Sequence, residues 1–361
     1  MKRGLILVVI SAVLIAPSSW AGREKIPTIS KDPYASALVI DADTGKTLID
    51  DNSTLKAYPA SVVKMMVLLV VLEQIEKGIM NLSDIVQITP EAARMGGSQV
   101  YLDPKEQFPV EDLLYALMIQ SANDAAVALA VHVSGSKEGF VALMNERAAS
   151  LGMKDTRFYS IHGLPPSDGQ QVDTTTAKDL SILAMTLAKR QETFEYTGTK
   201  EREFRGGDFI MRTHNNLLGN VDGCDGFKTG YFKAGGFSIV ATAKRKGVRL
   251  IVVVLGSKDR KVRDANAIEL LTKGFSKVPA RSEIAIEPLA TKVLPVVQTE
   301  KTEETLSVVE KQETVREEKE TALTNNGWLM FFLGLSVGLL PFLALVISRT
   351  RRSKRRFRSF M

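Results

Sequence analysis

Strand-like segments stand at both ends of one stretch of this chain, and helical runs fill its middle. Ala37–Asp41 and Thr47–Asp50 flank Asp43-Thr44-Gly45, the pattern of a hairpin closed by a glycine turn. Helical runs follow over Ser61–Lys77, Val110–Val133, Lys137–Leu151 and Thr176–Lys189. Phe237–Lys244 and Arg249–Gly256 then read as strands joined by Lys246-Gly247, and Val262–Phe275 as a closing helix. This order predicts an α+β fold, an antiparallel sheet packed with a helical cluster, over roughly Asp32–Val278. With 45% apolar and 24% charged residues the chain has the material for a real core, which excludes disorder throughout.

The net charge of +6 suggests nucleic acid only until it is located. Removing the seven basic residues of Arg349–Met361, together with Lys2 and Arg3, leaves the rest at −3. The body is mildly acidic, so no nucleic-acid partner is expected. Lys2 and Arg3 precede the apolar run Leu5–Ile15 and the small residues Ser19 and Ala21, which reads as a signal peptide over 1–21. At the other end, Trp328–Ile347 is twenty residues without a charge, long enough to cross a hydrocarbon core of ~30 Å as a helix. The basic tail behind it is expected to stay in the cytoplasm and the body outside, in a bacterial cytoplasmic membrane. Gly334 and Gly338 form a Gly-x-x-x-Gly pair that could drive a homodimer through this helix. The expected organisation is a body over 22–278, a Pro-punctuated segment and charged linker over 279–325, a transmembrane helix over 326–348 and a basic tail over 349–361. Ser282–Ile286 and Lys292–Val297 are candidate short strands within the linker. The stretch Glu300–Glu320 holds eight glutamates and four basic residues without Gly, Pro or aromatics, too little apolar surface to fold alone.

Three constellations carry chemistry. Ser61 and Lys64 open an apolar helix at i and i+3, where a hydroxyl and an amine share one face. A neutral lysine beside a serine is a workable general base if neighbouring cations or desolvation depress its pKa. Ser121-Ala122-Asn123 interrupts a long apolar run, and its hydroxyl and carboxamide could relay a proton and hold an amide. Lys228-Thr229-Gly230 offers a cation and a hydroxyl to a carboxylate, and its glycine leaves room for an extended peptide. Each alone has a plainer reading: an N-cap serine with a solvated lysine, an ordinary loop, a turn between strands.

Together, in this order and about 60 and then about 107 residues apart, they form the set found in penicillin-binding proteins and class A β-lactamases. The sequence resembles the low-molecular-mass penicillin-binding proteins, serine-type D-alanyl-D-alanine carboxypeptidases. Gly97-Ser98-Gln99 with Tyr101-Leu102, the block Ser121–Ala130, Leu151-Gly152-Met153, His162-Gly163-Leu164 and Gly223–Gly230 extend the likeness over roughly Lys31–Phe275. The resemblance implies the penicillin-binding protein and β-lactamase-like transpeptidase fold, and peptidoglycan stem peptides and β-lactam antibiotics as partners. It implies no cofactor and no metal. By the same resemblance Ser61 is the acylated nucleophile, Lys64 its base and Ser121 the proton shuttle to the leaving D-alanine. Asn123 binds the substrate amide, Lys228 supports the proton network and Thr229 of Thr229-Gly230 binds the terminal carboxylate. The backbone N–H groups of Ser61 and Tyr231 form an oxyanion hole, and Arg249 assists the carboxylate.

Competing readings fall on particular residues. A class A β-lactamase needs a glutamate after the second constellation, and Ser160–Asp173 holds none. A DD-endopeptidase uses the same groups on a longer substrate, and a non-catalytic cell-wall scaffold would not need them all. His132, His162 and His214 show no metal-ligand spacing and are expected in structural roles, as is the single cysteine, Cys224, as a small packed residue.

Overall fold

β1 (Ser36–Asp41) and β2 (Thr47–Asp51) form the expected first hairpin in the computed structural model, which describes residues 26–167 and 169–281. A single 3₁₀ turn over Ala60–Val63 leads into α1 (Lys64–Glu76). The strand β3 (Ile85–Gln87), the one-turn α2 (Pro90–Ala93) and β4 (Gln107–Pro109) follow, with β3 and β4 paired. Next come α3 (Val110–Tyr115), α4 (Asn123–Ser134), α5 (Lys137–Ser150), α6 (Ala177–Ala188) and the short α7 (Thr193–Thr197). The hairpin β5 (Glu201–Phe204) and β6 (Phe209–Arg212) precedes the long strands β7 (Cys224–Phe232), β8 (Gly236–Arg245) and β9 (Val248–Ser257). The helix α8 (Arg260–Ser276) closes the chain's described part.

The five long strands make one antiparallel sheet in the order β2-β1-β9-β8-β7, so the sequence's two ends lie side by side at its centre. Alternation along the strands sorts their side chains to two faces. Leu38, Ile40, Val240, Ile251, Val253 and Leu255 join the helical cluster on one face. Ala37, Val39, Ile239, Ala241, Val252 and Val254 pack with Ala267, Leu270 and Leu271 of α8 on the other. Both faces are covered, which explains the unbroken apolar run Leu250–Leu255. α1 lies at the heart of the helical side: every residue from Lys64 to Glu73 is buried, as a helix apolar all round requires.

Three local features shape the functional region. The helix expected from Ser61 starts at Lys64, leaving Ser61 in the tighter turn before it. The run Val110–Val133 is two helices, because a π-helical turn over Ala116–Gln120 ends in Ser121 with left-handed backbone, φ 59°. The segment Lys228-Thr229-Gly230 is no turn; it lies inside β7, an edge strand of the sheet. No helix among the described residues is long and apolar enough to cross a membrane, and the expected span over 326–348 lies outside them. The signal peptide, the two candidate linker strands, the basic tail and the Gly334/Gly338 pair also lie outside them.

Candidate active site

The three constellations converge where the Ala60–Val63 turn meets the open edge of β7. A Cβ on Gly230 would stand 2.6 Å from the Pro59 carbonyl oxygen and 3.0 Å from the Ser61 nitrogen, so only glycine lets strand and turn approach this closely. Ala60 holds left-handed backbone, φ 47°, a strain that aims the turn carrying Ser61. The approach brings Ser61, at the mouth of the core, beside a strand edge on which an extended peptide can lie.

Lys64 is completely buried, and its Nζ has three neighbours: Ser61 Oγ at 3.2 Å, Asn123 Oδ1 at 2.7 Å and the His162 carbonyl oxygen at 3.0 Å. Burial, followed by the charge of Lys228, holds its pKa well below the ordinary lysine value, against the opposing pull of Asp124 and Asp173. The neutral amine has two N–H groups and one lone pair. Asn123 Oδ1 and the His162 carbonyl can only accept, so they take both N–H groups. The lone pair is left for the one neighbour that can donate, the Ser61 hydroxyl. Asn123 is itself oriented, because its Nδ2 donates to the Gly96 carbonyl at 2.7 Å. The amide nitrogens of Val100 and Leu102 donate to the buried carboxylate of Asp124, which ties the preceding loop to α4. Ser121 is buried beside Asn123, and its hydroxyl makes no hydrogen bond within the described residues.

Lys228 is buried too, donating to the Thr229 carbonyl at 2.9 Å, and burial with the nearby Arg263 lowers its pKa to about 7. Thr229 pairs with Ile239 and Gly230 with Ser238 across β7 and β8. Tyr231 is exposed and stacks on Phe237, ring centroids 4.0 Å apart.

Arg249 lies elsewhere. It pairs in register with Lys244, whereas Ile239, the partner of Thr229, aligns with Val254. Five residues of strand, about 17 Å, separate the two positions. Its guanidinium makes a two-pronged ion pair with Asp225 at 2.7 and 2.8 Å and sits over the Phe194 ring. The expectation that Arg249 assists the carboxylate is thereby corrected. The arginine at the catalytic end is Arg263, 2% exposed, whose Nη1 donates to the Ser238 carbonyl opposite Gly230 at 3.4 Å. Its signal is present in the sequence: Arg263, Ala267, Leu270 and Gly274 share one helical stripe, and all are buried.

Two of the three histidines also belong here. His162 supplies the carbonyl on Lys64, and burial plus the charges of Lys64 and Lys137 push its imidazole down to about 4. His214 is lowered to about 4 by burial and by Lys228 and Lys64, so both rings are neutral near pH 7. Cys224 is a protonated thiol, its pKa raised by burial to about 11, which suits a packing role rather than a nucleophile.

A serine hydroxyl against the lone pair of a neutral lysine, at the edge of a sheet open to a peptide, defines an active-serine enzyme of acyl transfer. The chain belongs to the D-alanyl-D-alanine carboxypeptidase family, whose sequence model matches residues 25–259. It is similar to the D-alanyl-D-alanine carboxypeptidase DacF of Bacillus subtilis (strain 168), 38% identical over 283 residues, 77% of this chain and 72% of the relative. Among solved structures it resembles penicillin-binding protein D2 of Listeria monocytogenes in its ampicillin-bound form. That likeness has a TM-score of 0.61 at 29% identity, over 67% of this chain and 97% of the other. Penicillin-binding protein 6B of Escherichia coli is also similar, with a TM-score of 0.63 at 30% identity, over 71% of this chain and 80% of the other.

Proposed function

We infer that this chain is a serine-type D-alanyl-D-alanine carboxypeptidase, which removes the terminal D-alanine of peptidoglycan stem peptides through an acyl-enzyme on Ser61. The observation that carries the reading is the buried Lys64 amine, 3.2 Å from the Ser61 hydroxyl. The substrate class is supported by the family and by the relatives' names. Ser61 Oγ attacks the carbonyl between the two D-alanines while its proton passes to Lys64 Nζ. The backbone N–H groups of Ser61 and Tyr231 receive the developing oxyanion, each such donor contributing ~3–4 kcal/mol. The C–N bond then breaks, Ser121 passes a proton to the leaving amine, and D-alanine departs. Water attacks the ester, releasing the shortened peptide and restoring the Ser61 hydroxyl. Asn123 holds the substrate amide. Thr229 binds the terminal carboxylate beside Lys228 and near Arg263, whose guanidinium is paired with Asp264. β-Lactams acylate the same serine.

The two arginines separate in a kinetic test. Arg263→Ala is expected to lower kcat/KM for a peptide ending in D-Ala-D-Ala by roughly 10-fold or more, the scale of one hydrogen bond to a charged group. Arg249→Ala should leave kcat/KM within about two-fold and lower the melting temperature by a few degrees, because it breaks the partly buried pair with Asp225. Equal kinetic losses in both would contradict this assignment.

The reading extends to location. Trp328–Ile347 crosses the bacterial cytoplasmic membrane as a helix, the only form in which such a span satisfies its backbone, with the basic tail inside and the catalytic body outside. One experiment addresses both parts: a chain ended before Asn325 is prepared without detergent and incubated with purified peptidoglycan, and the products are weighed. Free D-alanine from a soluble enzyme is expected. Resolved cross-linked dimers in its place would make the activity an endopeptidase's. A truncated chain that stays in the membrane would overturn the anchor.

A further inference from the structure

The turn that presents the His162 carbonyl to Lys64 is not held by secondary structure. It runs over residues 159–163 between two irregular stretches, yet the lone pair of Lys64 points at Ser61 only while this carbonyl keeps its place. What holds it is a single buried carboxylate. Asp173, 5% exposed, accepts from the Tyr159 nitrogen at 2.6 Å, from the Ser160 nitrogen at 2.8 Å and from the Ser160 hydroxyl at 2.6 Å. Ser160 Oγ in turn accepts from the Gly163 nitrogen at 2.9 Å, which pins the far side of the turn. Four hydrogen bonds thus fix the peptide units on either side of His162, and all of them depend on Asp173 or on the serine that it orients.

We propose that Asp173 is a positioning residue for acylation, holding the 159–163 turn so that the His162 carbonyl fixes the direction of the Lys64 lone pair. The inference rests on Lys64 acting as the base. Asp173 touches neither substrate nor the reacting atoms; it acts through the turn and, secondarily, through its charge. Three donors and no acceptor face its oxygens, so the ionised carboxylate is the form this pocket accommodates. Burial raises its own pKa, against those three bonds and Lys64. The groups that bear on the Lys64 amine are Lys228 on β7, Asp124 on α4, Asp173, and the neutral imidazoles of His162 and His214. Among these Asp173 and Asp124 oppose the two effects that keep the amine neutral, so the carboxylate that aligns the base also raises its pKa.

Alignment and charge come apart in substitution. Asp173→Ala removes every acceptor and is expected to slow acylation by penicillin on the order of 100-fold, the effect of displacing a reacting group by about 1 Å. Asp173→Asn keeps one oxygen for the Tyr159 and Ser160 nitrogens, so most of the rate should return. It also removes a negative charge near Lys64, so the ascending limb of the rate against pH should move to lower pH. Ser160→Ala loosens the turn but keeps the charge, and is expected to lower the rate without moving the limb. A merely structural role for Asp173 would lower the melting temperature and leave the acylation rates of folded Asp173→Ala and Ser160→Ala at the wild-type value, with no rate for Asp173→Asn to restore.

The experiment is the acylation rate of the wild type and these three variants from pH 5 to 10, with the adduct on Ser61 confirmed by mass. Wild type that is not acylated on Ser61 would contradict the reading of the active site itself. If wild type is acylated there, an unchanged rate in Asp173→Ala or in Ser160→Ala overturns the positioning role of Asp173 alone, and an unshifted limb in Asp173→Asn overturns its charge effect on Lys64. Should Asp173→Ala fail to fold, the rate of Ser160→Ala decides: a lowered rate with an unmoved limb supports the role, and an unchanged rate overturns it.

Discussion

Replacing Lys64 with arginine is expected to slow acylation of Ser61 by roughly 100- to 10,000-fold, the range that a positioned general base contributes. A guanidinium keeps its proton at any accessible pH and carries only donors, so it has no lone pair for the Ser61 hydroxyl. Nor is there room for it, since the side chain of Lys64 is closed off from solvent on all sides. The wild type should show the complementary pH dependence. Burial first, and the charge of Lys228 second, depress the pKa of Lys64. The neutral fraction, and with it the rate, therefore grows as pH rises through that depressed value and levels off above it. Lys228, itself lowered to about 7, bears on Lys64 through its charge, so the two amines titrate as a coupled pair. A Lys64→Arg enzyme that acylates at the wild-type rate would remove the lysine from the mechanism.

The second large effect is expected at Gly163. Its backbone is left-handed, φ 75°, and a Cβ there would stand 2.0 Å from the Ala60 carbonyl oxygen. Alanine at this position must push the 159–163 turn away from the turn that carries Ser61, moving the His162 carbonyl off Lys64 and the nucleophile off β7 together. Acylation should fall by about 100-fold or more, and stability should fall by more than the ~1–2 kcal/mol of a left-handed side chain. Gly78 supplies the control: φ is 69°, but a Cβ there meets nothing within 4 Å. Gly78→Ala should therefore show the backbone penalty alone and keep full activity. Measuring penicillin acylation and melting temperature for both variants checks the pair, and equal behaviour would contradict the close approach of the two turns.

The parts of this site that are legible in the sequence are those whose spacing obeys a local rule. Ser61 and Lys64 sit one helical turn apart, and Ser121-Ala122-Asn123 breaks an apolar run because the backbone there leaves the helix. Arg249 misleads for a reason that no local rule covers. Which end of the sheet Arg249 occupies depends on the register of β7, β8 and β9, and that register puts it against Asp225, at the end far from Thr229. The helical stripe containing Arg263 is open to view, but the charged stretch around it resembles a solvated face. The pairs β3–β4 and β5–β6 have strands of three and four residues, at or below the length at which alternation can be told from chance. His162 and Asp173 contribute through a carbonyl and through backbone amides on an irregular segment, so neither periodicity nor side-chain chemistry marks them beforehand.

The covalent intermediate is the claim on which the rest depends, and it can be weighed directly. Purified chain is incubated with penicillin, digested, and its peptides are mapped by mass. The account predicts one penicilloyl group per chain, carried by the peptide that contains Ser61, and no adduct in Ser61→Ala. An adduct on another residue, or labelling that survives in Ser61→Ala, would contradict it.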